Sequence, residues 1–208
     1  KALGKLQHPN VVQVIDYGTS PDGTPYLVME FLRGESLAKR LKTYNERRAV
    51  LPFLTVLHIG FQVADALSVA HASGIVHRDL KPDNLMLVPD AVAPGGERVK
   101  ILDFGIAKLT DQDLLNVRTA THTIMGTPMY MSPEQCRGEV VTTASDVYSL
   151  GVIAYQMLGG ALPFEGGMAK LMAQHMHVEP QPLTERNPDV PRAVAEVVMS
   201  ALAKDVSR

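Results

Sequence analysis

His77-Arg78-Asp79-Leu80-Lys81-Pro82-Asp83-Asn84 carries most of the information in this chain. It follows a stretch of helical periodicity and a short apolar pair, Ile75 and Val76. Nineteen residues after Asn84 comes Asp103-Phe104-Gly105. Asp79, Asn84 and Asp103 are hard-oxygen groups near the ends of predicted strands. Such groups suit Mg²⁺, which takes one or two protein carboxylates and completes its shell with water and substrate phosphate. Lys81, two residues from Asp79, supplies a compact positive charge for a phosphate. Residue types alone therefore suggest phosphate chemistry. Any one of these residues read singly is simply a solvated loop residue; the combination is what points further.

Working outward, residues 11–16 (VVQVID) and 26–31 (YLVMEF) read as strands. Between them, Ser20-Pro21-Asp22-Gly23-Thr24-Pro25 holds an Asp-Gly turn, which makes the pair a hairpin. Gly34 or Ser36 starts a helix running through Leu41. Pro52 stands at a second helix start, where proline is tolerated. Leu57, Phe61, Ala64, Leu67 and His71 follow at helical spacing, and Gly74 ends the run. Residues 75–76, 85–88 and 99–102 read as short strands, the last two forming a hairpin. Residues 103–133 show little periodicity and read as a long loop, a length that is usually functional or disordered. Helices are expected near 145–158, 168–177 and 193–203. With strands first and helices later, the class is α+β with segregated layers.

Composition narrows the possibilities. The 208 residues are 46% apolar, enough for one sizeable core. A formal net charge of −2 excludes a polybasic body that binds nucleic acid or anionic lipid by bulk electrostatics. The same balance excludes intrinsic disorder. Cys136 is the single cysteine, so no internal disulfide forms, which fits a reducing compartment. With no Trp and ten Met, the core must be aliphatic. His175, His177 and Cys136 have no partners at zinc-site spacing. No leader or membrane segment is read; residues 147–158, the most apolar stretch, are too short to span a bilayer. The first residue is Lys1, so the chain is expected to begin inside a longer protein.

Two more motifs join the first pair: Gly126-Thr127-Pro128-Met129-Tyr130-Met131-Ser132-Pro133-Glu134 and Asp146-Val147-Tyr148-Ser149-Leu150-Gly151. In this order, the four resemble the signature set of the eukaryotic-type (Hanks-type) serine/threonine protein kinases. HPNVVQVIDYG at 8–18 and KILDFGIAK at 100–108 look most like the bacterial branch. The resemblance implies a protein-kinase-like two-lobe fold. Residues 1–32 would be part of the nucleotide-covering lobe, with the hinge. Residues 33–208 would be the mostly helical lobe with catalytic loop and activation segment.

The resemblance also implies roles. Asp79 would orient the acceptor hydroxyl and take its proton; Lys81 would lie on the transferring phosphate of ATP; Asn84 and Asp103 would hold Mg²⁺ or Mn²⁺. Thr127 would bridge Asp79 and Lys81, and with Lys81-Pro82 it implies Ser/Thr acceptors on protein substrates. Met29 resembles the gatekeeper, Glu30 to Leu32 the hinge against adenine, and Met86 the floor beneath it. Val14, His77 and Phe104 resemble members of a stacked apolar column, which makes His77 structural rather than a base. Asp146 would accept backbone hydrogen bonds from the catalytic loop. Arg78 would dock a phosphothreonine from Thr119, Thr121 or Thr123, the first two best matching an autophosphorylated pair. The catalytic domain would be cytoplasmic, with no nucleic-acid partner and no membrane segment in these residues; homodimerisation of the parent is left open.

Both ends depart from the pattern. There is no Gly-x-Gly-x-x-Gly run and no Val-Ala-Ile-Lys strand, and residues 1–10 resemble the tail of the family's αC helix. At the other end, the family's arginine partner of the residue matching Glu134 would fall one position past Arg208, and Val206 replaces the usual Pro. The 208 residues alone are therefore expected to be inactive or nearly so, with apolar strand surface exposed on the small lobe. A pseudokinase or scaffold is the alternative. A small-molecule phosphotransferase would lack the segment ending at Glu134, and a non-enzymatic regulator would need four coincidental motifs.

Overall fold

The computed structural model describes residues 6–104 and 128–205. Strands β1 (Val14–Thr19) and β2 (Pro25–Met29) form an antiparallel hairpin. At its tip Gly23 adopts φ 87°, the Gly23 N–H bonds Ser20 O, and the Asp22 carboxylate accepts from Thr24 N–H, the turn chemistry expected of Asp-Gly. The first strand starts at Val14 rather than Val11. Val11 instead bridges Ile101 in parallel, with Val12 N–H bonding Ile101 O at 3.0 Å. This bridge ties the N-terminal segment to the second sheet.

That sheet is antiparallel, in the order β3 (Glu35–Ser36), β4 (Leu85–Pro89), β5 (Glu97–Ile101). Leu85, Leu87, Val99 and Ile101 face the core. Helices α1 (Leu37–Glu46) and α2 (Phe53–Ala72) lie in sequence between β3 and β4, so strands do not all precede helices. A two-residue strand is too short for alternation to reveal it. Ser36 caps α1 by accepting from Lys39 N–H.

Helix α2 has the expected period, but the inward face is rotated, and of the expected apolar positions it takes in Leu67 alone. It buries Val56, Ile59, Val63, Ala66, Leu67 and Ala70, while Leu57 and Phe61 are exposed. Among the described residues α2 is the one helix long and apolar enough to cross a membrane, and its buried face packs into the core. Residues 75–76 are not a strand: the backbone just beyond them is held by a buried carboxylate from another helix instead of by a ladder.

The remaining helices are α3 (Pro133–Arg137), α4 (Thr143–Gly159), α5 (Met168–His177), α6 (Leu183–Arg186) and α7 (Arg192–Ala201). Helix α4 is the spine of the domain. Val152, Ile153, Tyr155 and Met157 are fully buried, and the helix packs against α2, α6 and α7. At Gly151 a Cβ would sit 2.9 Å from Ala201 Cβ, so glycine permits the close crossing of α4 and α7. The architecture is α+β with an aliphatic core, predominantly helical.

Candidate active site

The end of α2 launches the loop. Gly74 takes φ 69° and Ile75 N–H returns to Ala70 O, a left-handed stop that frees residues 75–84. Asp146, in the first turn of α4, then grips the loop from below. Its Oδ2 accepts from His77 N–H at 2.8 Å and contacts His71 Nε2 at 2.8 Å; its Oδ1 accepts from Arg78 N–H at 2.9 Å. The carboxylate is 1% exposed. The α4 N-terminus favours its negative charge.

Arg78 has φ 71°, a costly conformation for a residue with a Cβ. It persists because both of its peptide groups are held: Asp146 takes the N–H, and Gln135 Nε2 donates to the Arg78 carbonyl at 2.6 Å. Gln135 is itself fixed by a capping box with Ser132 at the start of α3.

His77 is buried, its ring edge-on to Phe104 at 4.9 Å. Nε2 bonds the Leu102 carbonyl at 2.8 Å, and Nδ1 faces Asp79 N–H at 3.3 Å. A carbonyl only accepts and an amide N–H only donates, so the ring is neutral with its proton on Nε2. Burial pushes its pKa down against the opposing pull of the Leu102 carbonyl and the carboxylates of Asp146, Asp79 and Asp103. His77 is thus a structural post around which these acids are arranged.

Above it, the Asp79 side chain is 68% exposed. Lys81 Nζ lies 2.7 Å from Asp79 Oδ2, and Asn84 Nδ2 donates to Asp79 O at 2.8 Å and to Oδ2 at 3.3 Å. A short 3-10 turn over Pro82–Asn84 returns Asn84 beneath Asp79, and Asn84 O accepts from Leu102 N–H at 2.9 Å. That bond brings Asn84 next to Asp103, which is exposed at φ 59°, a left-handed conformation that Asp tolerates. With its amide hydrogens directed at Asp79, the Asn84 side chain keeps its oxygen available. That oxygen and the Asp103 carboxylate are a hard donor pair suited to Mg²⁺ with phosphates completing the shell. No group of three His, Cys, Asp or Glu that could cage a metal occurs among the described residues.

At the other edge, Glu30 N–H bonds Gln13 O at 3.0 Å, and the Glu30 carboxylate accepts from Gln13 N–H at 2.9 Å and Lys100 Nζ at 2.7 Å. Burial pushes this carboxyl up, but the Lys100 ammonium and the Gln13 N–H outweigh it, so Glu30 ends below its ordinary range. Lys100 also reaches Val11 O at 3.4 Å, which fastens the hinge segment to β5. Met86 is half-buried on β4, opposite Lys100 in register; Met29 is partly exposed at the end of β2, and Leu32 is half-buried.

Residues 1–208 match the protein kinase domain family. The chain belongs to the protein kinase family. It is 42% identical over 212 residues to the serine/threonine-protein kinase pkn3 of Myxococcus xanthus, covering 99% of this chain and 37% of that protein. It is 42% identical over 210 residues to PknA of Mycobacterium tuberculosis, covering 99% and 45%. Among solved structures, the M. tuberculosis PknI kinase domain superposes with a TM-score of 0.71 at 28% identity, covering 98% of this chain and 68% of that one. The relatives place this kinase in the bacterial Hanks-type serine/threonine branch. The chain spans less than half the length of these curated relatives.

Of the expected site residues, this kinase brings His77, Asp79, Lys81, Asn84, Asp103, Phe104 and Asp146 together, with Arg78 on the same loop. Val14 is half-buried on β1. Glu134 accepts from Ser145 Oγ at 2.5 Å. Thr119, Thr121, Thr123 and Thr127 lie outside the described residues. Sequence reasoning missed Gln135, Lys100 and His71. Ser132-Pro133-Glu134-Gln135 does carry a capping-box signal for Gln135; a Lys on a strand and a His on a helix carry none.

Proposed function

We propose that this chain is the catalytic domain of a serine/threonine protein kinase that transfers the γ-phosphoryl group of ATP to Ser or Thr hydroxyls of proteins. The observation that carries the reading is Asp79: an exposed carboxylate, steadied by Lys81 and Asn84 on a loop fixed from below. Asp79 orients the acceptor hydroxyl and takes its proton as that oxygen bonds to the γ-phosphorus, while the bond to the ADP oxygen breaks. Lys81 sits where it exchanges its contact with Asp79 for a phosphate oxygen. Asn84 and Asp103 would hold Mg²⁺ (or Mn²⁺), which when bound neutralises phosphate charge. The backbone of Glu30 to Leu32 would meet adenine between Met29 and Met86, and Thr127 would shape the acceptor pocket. Arg78 would dock phosphorylated Thr119 or Thr121, an ordering switch on the activation loop. The protein would act in the cytoplasm. The 208 residues taken alone, with no Gly-rich run, would transfer little or no phosphate.

The test is ATP-dependent labelling by the full-length protein. The expected result is phosphoserine or phosphothreonine on a protein acceptor and on Thr119 or Thr121, with activity reduced in the Thr119→Ala/Thr121→Ala double variant. A full-length protein that binds ATP but labels nothing, itself included, would show a pseudokinase.

A further inference from the structure

A second chain of polar side chains runs beneath the turn Pro128–Tyr130, and the phosphoryl-transfer chemistry makes no use of it. Lys204, just after α7, directs Nζ to Tyr148 Oη at 3.0 Å. Its ammonium also sits over the Phe164 ring, 4.5 Å from the centroid. Tyr148 Oη is 2.9 Å from His175 Nδ1. The His175 ring is wholly buried, edge-on to Tyr148 at 5.7 Å and to Phe164 at 5.0 Å. Tyr148 and Phe164 thus meet on one imidazole, and Lys204 reaches both of them.

The direction of this chain follows from donor chemistry. An ammonium only donates, so the Tyr148 oxygen accepts from Lys204 and its single O–H proton goes to His175 Nδ1. The neutral ring therefore carries its proton on Nε2. That N–H is buried and has no partner within bonding distance among the described residues. A buried donor in that state calls for an acceptor. The Met129 backbone is the group whose approach favours a proton on the ring, and α5 packs directly on the turn that contains Met129. The other side of the turn is already fastened, since Ser149 Oγ donates to Tyr130 O at 2.8 Å and Tyr130 Oη donates to Gln156 Oε1 at 2.8 Å.

We propose that Lys204, Tyr148 and His175 are positioning residues for the peptide acceptor: they hold one oriented N–H donor beneath Met129 and set the height of the turn on which the peptide docks. This rests on the serine/threonine protein kinase reading above. Burial first, and the nearby Lys204 charge with it, keep His175 neutral, with its pKa lowered to about 4, and burial lowers Lys204 itself to about 8.

The decisive variant is Tyr148→Phe in the full-length protein, which keeps the ring and removes the relaying hydroxyl. Loss of one neutral hydrogen bond should raise KM for a peptide acceptor roughly 3–10-fold, with kcat and KM for ATP within about two-fold. His175→Gln, which keeps an N–H donor, should stay nearer to wild type than His175→Leu. An unchanged peptide KM would overturn the proposal. So would a parallel loss of kcat, both KM values and thermal stability, the mark of packing alone. If the wild-type protein transfers no phosphate, the kinase reading fails, and ¹⁵N NMR of His175 still decides the relay. An Nε2–H ring at pH 7 that loses its defined tautomer in Tyr148→Phe supports it, and an Nδ1–H or doubly protonated ring refutes it.

Discussion

Asp79 and Asp146 are carboxylates tied to the same loop, and their surroundings are opposite. Asp146 is 1% exposed and meets three donors, two of them backbone N–H groups of the loop. Asp79 is 68% exposed, and among the described residues its carboxylate meets Lys81 and Asn84, side chains that would also face substrate. One anion has exchanged water for fixed donors and defines a conformation; the other has kept access to the acceptor. The chemistry needs both, because a mobile carboxylate would waste the orientation that speeds transfer.

Replacing each in turn should separate the two roles. Asp79→Asn is expected to lower kcat by about 10²–10⁴-fold, the usual value of a general base, while unfolding free energy changes by no more than about 0.5 kcal/mol. Asp146→Ala leaves the His77 and Arg78 N–H groups buried and unpaired, and should cost about 3 kcal/mol in urea denaturation as well as activity. Equal destabilisation by both variants would dissolve the distinction.

The same contrast explains what was legible beforehand. Asp79, Asn84 and Asp103 stand in short polar runs beside apolar strands, so their chemistry shows in local sequence. Asp146 was reached through a resemblance, since nothing local says that a helix start 67 positions beyond Asp79 will hold its loop. The hairpin tip and the bounds of α5 were readable because turn residues and helical period act locally. The inward face of α2 was not, because its apolar residues ring most of the helix and only its neighbours choose a side. Gln62 illustrates this: it sits among apolar residues and is buried because the Asn10 and β5 backbone groups need it.

That pairing supplies a second supporting hub to compare with Asp146, this one without charge. Asn10 Nδ2 donates to Gln62 Oε1 at 2.7 Å and to Val99 O at 2.9 Å, and Gln62 Oε1 also accepts from Val99 N–H at 3.0 Å. Asn10→Leu should cost about 2 kcal/mol, since it strands buried partners. The Asn10→Leu/Gln62→Leu double variant should cost less than the sum of its singles, with a coupling of about 1 kcal/mol. Simple additivity would show that the two amides do not act as a unit.

The smallest expected effect concerns pH, which probes the supporting layer without touching the exposed acid. Burial lowers the pKa of both His77 and His175 from the ordinary 6.5, the latter to about 4. Above pH 6.5 both rings are neutral in folded and unfolded chains, so their contribution to stability is complete. As pH falls from 6.5 toward 4, the unfolded chain binds protons that the native rings resist, and stability declines. The slope for each ring is at most about 1.4 kcal/mol per pH unit. Urea denaturation at pH 7, 6 and 5 should record this decline, and His175→Gln should flatten it by about one proton's share. The carboxylates held low by hydrogen bonds and ion pairs, Glu30 and Glu97 among them, also lose stability on acidification, but equally in wild type and variant, so the difference between the two slopes isolates His175. An identical slope in wild type and variant would mean that His175 takes up its proton as readily in the folded chain as in the unfolded one, which a ring with buried Nε2 and a Tyr148 hydroxyl on Nδ1 does not allow.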